Sequence, residues 1–398
     1  MTQNAVARMS RLSAITALAL SVLVIAGCAS GATGGAGQES SSAPSASAIR
    51  PAAPEGELSA DLQARLQDAL EQVMTEYDVP GAAAGVWIPG EGSWTTAAGL
   101  ANIEDDLAVT TDMVWPIRSI TKSYTVTLLL TLADEGALSL DDTLDQYVDG
   151  VTDGDQITLL QLANMSSGNA EYVGDEFIED YAVDPTKIYT LDELNAFVLG
   201  KPAQFAPGSQ YLYTNSNTNL LGAVIEEVTG QSYAEALQER ILTPLGQSRT
   251  TYITDVTDWA EPHPVGYVAV DGALEPRVEN ASILGAAGSL FSTLEDGRVW
   301  AEVLATGALL EPETQELRRI GHPIPKPPYD RYAVGMGETN GWWGHNGEGV
   351  GFTAATFHNI DTGVSIVVYM NESDLPDVHP ADTAFRALAE VLATGEGR

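Results

Sequence analysis

The chain has 398 residues, with 18 Lys and Arg against 55 Asp and Glu, a formal charge of -37 that excludes a nucleic-acid-binding groove. At 44% hydrophobic and 18% charged it is neither disordered nor polytopic, and it reads as a globular protein with a substantial core. The single cysteine, Cys28, rules out an intramolecular disulfide, and the 5 histidines show no metal-binding spacing, so no metal and no other cofactor is expected.

Arg8 and Arg11 precede an apolar run from Leu12 to Ala26 that is short for a membrane span and suited to the core of a signal peptide. It closes on Ile25-Ala26-Gly27-Cys28, which resembles a bacterial lipobox. On that reading residues 1–27 are removed, and a lipid on Cys28 anchors an extracytoplasmic protein to a bacterial cell membrane. The alternative is an ordinary signal peptide with a bystander cysteine. Residues 28–57 are Gly, Ser, Ala and Pro with scarcely a large apolar side chain, too little to bury, and predict a flexible linker. The folded body is expected over residues 58–395.

Ser59 precedes Leu62, Leu66, Leu70, Val73 and Tyr77 at helical spacing, and Pro80-Gly81 stops that helix. Ala82 to Ile88 and Ser93 to Leu100 flank Pro89-Gly90-Glu91-Gly92 as a hairpin. Thr121 to Ala133 predicts a buried helix ended by Gly136. Further helical segments follow at Leu159 to Met165, Thr190 to Leu199 with Thr190 and Glu193 as a capping box, Leu220 to Val228, and Tyr233 to Ile241. Leu294 to Leu304 is helical, Gly351 to Phe357 and Gly363 to Tyr369 form a second hairpin, and Ala381 to Leu392 is an amphipathic helix. Strands at both ends with helices between predict a mixed α and β fold. Its antiparallel sheet has about five strands flanked by helices, the first and last helices share one face, and a mainly helical domain spans roughly Ser139 to Leu245.

Three segments carry chemistry. In Ser119-Ile120-Thr121-Lys122 the serine and lysine lie three apart on a helix, on one face, where a desolvated neutral lysine can take the proton of a serine nucleophile. In Tyr213-Thr214-Asn215 a phenol near a lysine can relay protons and an amide can hold a carbonyl. Gly344-His345-Asn346-Gly347-Glu348-Gly349 alone reads as a glycine-rich turn with an exposed histidine, but glycines at this density also let a ligand approach backbone N–H groups. A second Tyr-x-Asn, Tyr369-Met370-Asn371, ends a strand and reads as structural. Trp342 and Trp343 either line a cleft or pack as core, and His263 and His322 read as loop residues. No Gly-x-Ser-x-Gly elbow occurs, which argues against an α/β-hydrolase.

Taken in order, the three segments resemble the Ser-x-x-Lys, Tyr-x-Asn and Lys/His-x-Gly elements of the serine β-lactamase and penicillin-binding D,D-peptidase superfamily. The flanks Ala133 to Asp141, Leu162 to Gly168, Phe205-Ala206-Pro207-Gly208 and Tyr213 to Gly222 carry the resemblance further, over residues 58–395. It implies a β-lactamase/transpeptidase-like fold and an acyl-enzyme on Ser119. Lys122 and Tyr213 would move the proton, Asn215 would position Lys122 and the acyl carbonyl, and His345 would add a hydrogen bond or, protonated, positive charge beside Tyr213. The N–H groups of Ser119 and Glu348 would form the oxyanion hole.

Leu191 stands where the class A deacylating glutamate would be, so that branch is disfavoured. Tyr213 and His345 point instead to D,D-carboxypeptidases and their relatives. Asn346, Gly347 and Glu348 fall at substrate-binding positions, and Arg118 replaces the small residue that often precedes the nucleophile, either narrowing the mouth or binding an anion. Glu348 stands where related peptidases often hold a substrate carboxylate with Thr or Ser, and a carboxylate repels a carboxylate. The expectation is therefore a serine hydrolase of D-alanyl-D-alanine carboxypeptidase type acting on peptidoglycan stem peptides. The alternatives are an esterase or class C-like β-lactamase of the same fold, or a non-catalytic penicillin-binding or sensor lipoprotein.

Overall fold

Gly81–Ile88, with the sequence GAAAGVWI, lacks the polar–apolar alternation of a half-exposed strand, and its place in the fold explains this. A computed structural model describes residues 49–270, 272–324, 328–373, 375 and 378–395. The leader and Cys28 lie outside them. The long strands are β1 (Gly81–Ile88), β2 (Gly92–Asn102), β3 (Trp342–Gly349), β4 (Phe352–Asn359) and β5 (Ser365–Met370). They lie in the order β2-β1-β5-β4-β3, all antiparallel. Short strands extend this order, Leu107–Ala108 beyond β2 and Gly337–Thr339, Arg331–Tyr332 and His322–Pro323 beyond β3, to nine among the described residues. Ala82 pairs with Met370 and Trp87 with Ser365, so the two ends of the body meet in the middle of the sheet.

β1 and β5 are covered on both faces. Alternate residues Ile366, Val368 and Met370 join Ala82, Ala84 and Val86 against helices α1 (Ala60–Glu76) and α5 (Pro380–Gly395), through Leu66, Leu70, Phe385 and Leu388. The intervening Val367 and Tyr369, with Ala354, pack into the core that holds α2 (Thr121–Asp134) and α4 (Leu294–Thr306). The first and last helices therefore share a face, as the sequence predicts. Ser59 caps α1 by accepting the N–H of Leu62.

Between the two halves of the sheet lie Leu159–Ala163, Asp175–Val183, Leu191–Ala196, α3 (Asn215–Thr229) and Tyr233–Leu237. Thr190 and Glu193 form the expected reciprocal box. The helix expected to reach Ile241 instead widens into a π-helical turn at Gln238–Leu242.

The linker expected to run to residue 57 ends earlier. Arg50 Nη1 donates to Leu245 O and Gly246 O at 2.9 Å each, Arg298 donates to Pro51 O at 2.9 Å, and the Leu58 N–H bonds Ser93 O at 3.1 Å. Composition concealed this docking because guanidinium and backbone hydrogen bonds supply much of it, with Ile49 and Leu58 as its large apolar anchors. Among the described residues no helix is long and apolar enough to cross a membrane.

Candidate active site

Residues Thr121 to Leu132 of α2 are all buried, a helix without a wet face. Its hydroxyls are satisfied locally: Ser123 Oγ donates to Ile120 O and Thr127 Oγ1 to Ser123 O, both at 2.6 Å. A 3₁₀ turn at Arg118–Ile120 leads into the helix and sets Ser119 at its mouth with Lys122 one turn on. Lys122 Nζ lies 3.0 Å from Ser119 Oγ and donates to Ala287 O at 2.9 Å. Burial pulls its pKa down from 10.5 to about 7, opposed by the charge of Glu171. A free amine, able to accept a proton, is thus populated at neutral pH beside the serine hydroxyl.

Tyr213 stands on the approach to α3. Its ring centre is 5.0 Å from Lys122 Nζ, and burial pushes its pKa far up, opposed in part by the neighbouring Ser119, so it remains a protonated phenol. Desolvation outweighs every neighbouring group in setting that pKa. Asn215, at the first turn of α3, gives its backbone N–H (2.6 Å) and Nδ2 (3.3 Å) to Glu171 Oε2. Its amide is turned to Glu171 rather than to Lys122.

The Gly344 to Gly349 segment is strand β3, not a turn, and His345 is 1% exposed. Its Nδ1 lies 2.5 Å from Asn346 O, which accepts the N–H, leaving Nε2 to accept from the Tyr332 hydroxyl at 3.2 Å. Both contacts suit the neutral ring, and burial pulls its pKa down to about 3. His345 therefore carries no positive charge at neutral pH, and its hydrogen bonds go to Asn346, Tyr329 and Tyr332. Gly337–Thr339 pairs with β3 only from Trp342 to Gly344, so the rest of that edge faces the nucleophile turn. A Cβ on Gly347 would fall 2.2 Å from Ile117 O, a close approach only glycine permits.

A cleft of about 1000 Å³ opens over Ser119, lined by Tyr211, Tyr213, Asn215, Tyr329, Asn346 and Glu348 among others. Arg118 is not part of this lining. Its side chain is turned inward onto Glu279, so it neither narrows the mouth nor meets an anionic substrate there. Trp342 and Trp343 also stay out of the cleft, Trp342 packing edge-on against Phe385 of α5. In the second Tyr-x-Asn, Asn371 Nδ2 ties Leu100 O and Val265 O together at 3.0 Å each, away from the cleft.

Sequence reasoning missed Glu171, which braces Asn215 and acts on Lys122, and Ala287, whose carbonyl holds Lys122 while its N–H bonds Asn219 Oδ1 at 3.1 Å. Neither lies in a spacing pattern, because tertiary folding alone brings each to the site. Among the described residues no group of three or more His, Cys, Asp or Glu is placed to hold a metal ion.

A serine beside a lysine amine and a phenol, facing a glycine-rich strand edge at the floor of a cleft, defines an active-site serine hydrolase. The chain belongs to the Beta-lactamase family, whose model matches residues 66–391. It is 28% identical over 314 residues to a D-aminopeptidase of Brucella anthropi, covering 77% of this chain and 59% of that protein, so it spans well under two thirds of this curated relative. A D-stereospecific amidohydrolase from a Streptomyces species superposes with TM-score 0.73 at 28% identity, covering 84% of this chain and 99% of that one. The octameric penicillin-binding protein homologue from Pyrococcus abyssi gives TM-score 0.72 at 26% identity, covering 83% and 77%.

Proposed function

We propose that the protein hydrolyses the amide bond that follows a D-configured residue bearing a free amino group. The observation that carries this reading is the cleft itself: a neutral-capable Lys122 sits 3.0 Å from Ser119, beneath a lining whose carboxylates include Glu348 and Asp382. Asp382 is held by Arg386 at 2.7 Å, so the charge that bears on the substrate is the Glu348 carboxylate, whose place in the lining suits a substrate ammonium better than a terminal carboxylate. It favours an aminopeptidase or amidase over the D,D-carboxypeptidase first expected, whose substrate would place a carboxylate beside Glu348. The names of the Brucella and Streptomyces relatives point the same way.

In the proposed path Lys122 takes the Ser119 proton as Oγ bonds the carbonyl carbon, and the N–H groups of Ser119 and Glu348 hold the developing oxyanion. Tyr213, a phenol within reach of Ser119, passes a proton to the leaving amine and is reprotonated from Lys122. Water then attacks the ester carbonyl, giving its proton back through the same groups and releasing the acid and Ser119. Asn215, held by Glu171, orients the acyl group.

The test is turnover of D- and L-amino acid p-nitroanilides, an amine-blocked D-alanyl-D-alanine peptide and nitrocefin, with Ser119→Ala as the control. Cleavage of the D-anilide with a free amine, lost in Ser119→Ala, is expected. Faster cleavage of the blocked D-alanyl-D-alanine peptide would restore the carboxypeptidase reading, and no turnover of any D-amide would remove both. We further propose, from the leader sequence alone, a lipid anchor on Cys28, testable by membrane fractionation of Cys28→Ser.

A further inference from the structure

Arg118 precedes the nucleophile with a backbone φ of 50°, in the left-handed region that side chains with a Cβ disfavour. Its guanidinium is buried, with a side chain 3% exposed, and pairs at 3.1 Å with Glu279, 5% exposed. Nη2 donates to Val350 O at 3.1 Å, and the group lies 5.5 Å from the centre of the Phe352 ring. The aliphatic stem runs along β3: ideal Cβ positions on Gly347 and Gly349 lie 3.1 Å from Arg118 Cβ and 3.3 Å from Arg118 Cδ. One side chain therefore spans from the turn that carries Ser119 to the far end of the strand that carries Glu348. Glu279 in turn stands just before Ala281–Ala287, the segment whose last carbonyl accepts from Lys122. Charges this deeply buried are costly unless paired, and a buried pair is better suited to fixing geometry than to adding stability.

We propose that Arg118 and Glu279 are positioning residues for acylation. Their ion pair sets the spacing between the N–H groups of Ser119 and Glu348 and braces the segment that holds Lys122. Neither residue touches the reacting atoms. The proposal rests on Ser119 as the nucleophile, a point the wild-type labelling control checks separately.

The experiment compares wild type with Arg118→Gly, Arg118→Lys and Glu279→Gln. The readouts are kcat and KM on a p-nitrophenyl ester, the rate of Ser119 labelling by a fluorescent phosphonate, and the melting temperature. Glycine accepts the left-handed backbone, so Arg118→Gly removes the brace and relieves the φ constraint together. Removing a whole oxyanion donor costs on the order of 10²–10³ in kcat, so a displaced donor should cost about tenfold to a hundredfold, with KM little changed and phosphonate labelling slowed in parallel. Arg118→Lys keeps the charge but not the fork and should fall between. Added guanidinium ion should restore part of the rate in Arg118→Gly and none in Glu279→Gln.

Folded Arg118→Gly and Glu279→Gln variants with kcat and labelling within about threefold of wild type would overturn the proposal. So would a loss confined to KM, or equal rescue by sodium chloride. Should Arg118→Gly not fold, the volume-conserving Glu279→Gln decides by the same readouts. Failure of both to fold would reassign the pair to stability alone.

Discussion

Replacing Lys122 with Met tests the electrostatics of the site, because the variant loses the amine and keeps an unbranched side chain in the same buried place. Burial moves this group from its ordinary 10.5 to about 7. At about 1.4 kcal/mol per pH unit, the preference for the neutral form costs the folded state on the order of 5 kcal/mol at pH 7 and below. Between pH 7 and 10.5 the unfolded chain carries the lysine proton and the folded chain does not, so raising the pH favours folding there, and above 10.5 the penalty is gone. Removing the amine also strands Ala287 O, and an orphaned buried acceptor costs about 1–3 kcal/mol. Lys122→Met is therefore expected to be inactive yet more stable than wild type by about 2–4 kcal/mol at pH 7. The gain should shrink by about 1.4 kcal/mol per pH unit on going to about pH 9.5. Denaturant unfolding of both proteins at several pH values measures this directly. A variant less stable than wild type at pH 7, or a gain that stays flat as the pH rises, would refute a lysine neutralised by burial.

Glu171→Gln removes the carboxylate that raises the Lys122 pKa, so the rising limb of the kcat/KM profile should move to lower pH, and an alkaline move would contradict the assignment. Tyr213→Phe keeps the ring and deletes the hydroxyl, and single-turnover kinetics should show acylation or deacylation slowed by on the order of a hundredfold; near wild-type turnover of both an ester and an amide would leave Lys122 as the sole proton carrier. Gly347→Ala puts a methyl group 2.2 Å from Ile117 O, which must push β3 off the nucleophile turn; phosphonate labelling should fall by at least about tenfold while circular dichroism stays native.

The parts of the molecule that were legible in the sequence are those set by local spacing. Ser119 and Lys122 share a helix face because three residues separate them, and α1 and α5 show their apolar stripes. What escaped depends on distant partners. Arg118 reads as a cleft residue until Glu279, far along the chain, is seen to turn it inward. His345 reads as exposed because glycines surround it, whereas Tyr329 and Tyr332 enclose it in the fold. The edge strands from His322 to Thr339 are two or three residues long and carry no periodicity to detect.

The pairing of β1 with β5 joins residues 81–88 to residues 365–370, so the centre of the sheet is also its longest closure in sequence. A chain emerging from its N-terminus exposes β1 and β2 as a lone hairpin until nearly the whole body has been made, and long-range closure of this kind slows folding. Through that interval the edge of Gly81–Ile88, with no charged side chain along it, is a template for pairing with another copy. Synthesis that stops before Ser365 leaves that edge permanently open, so the last few strands decide whether the first ones stay in solution.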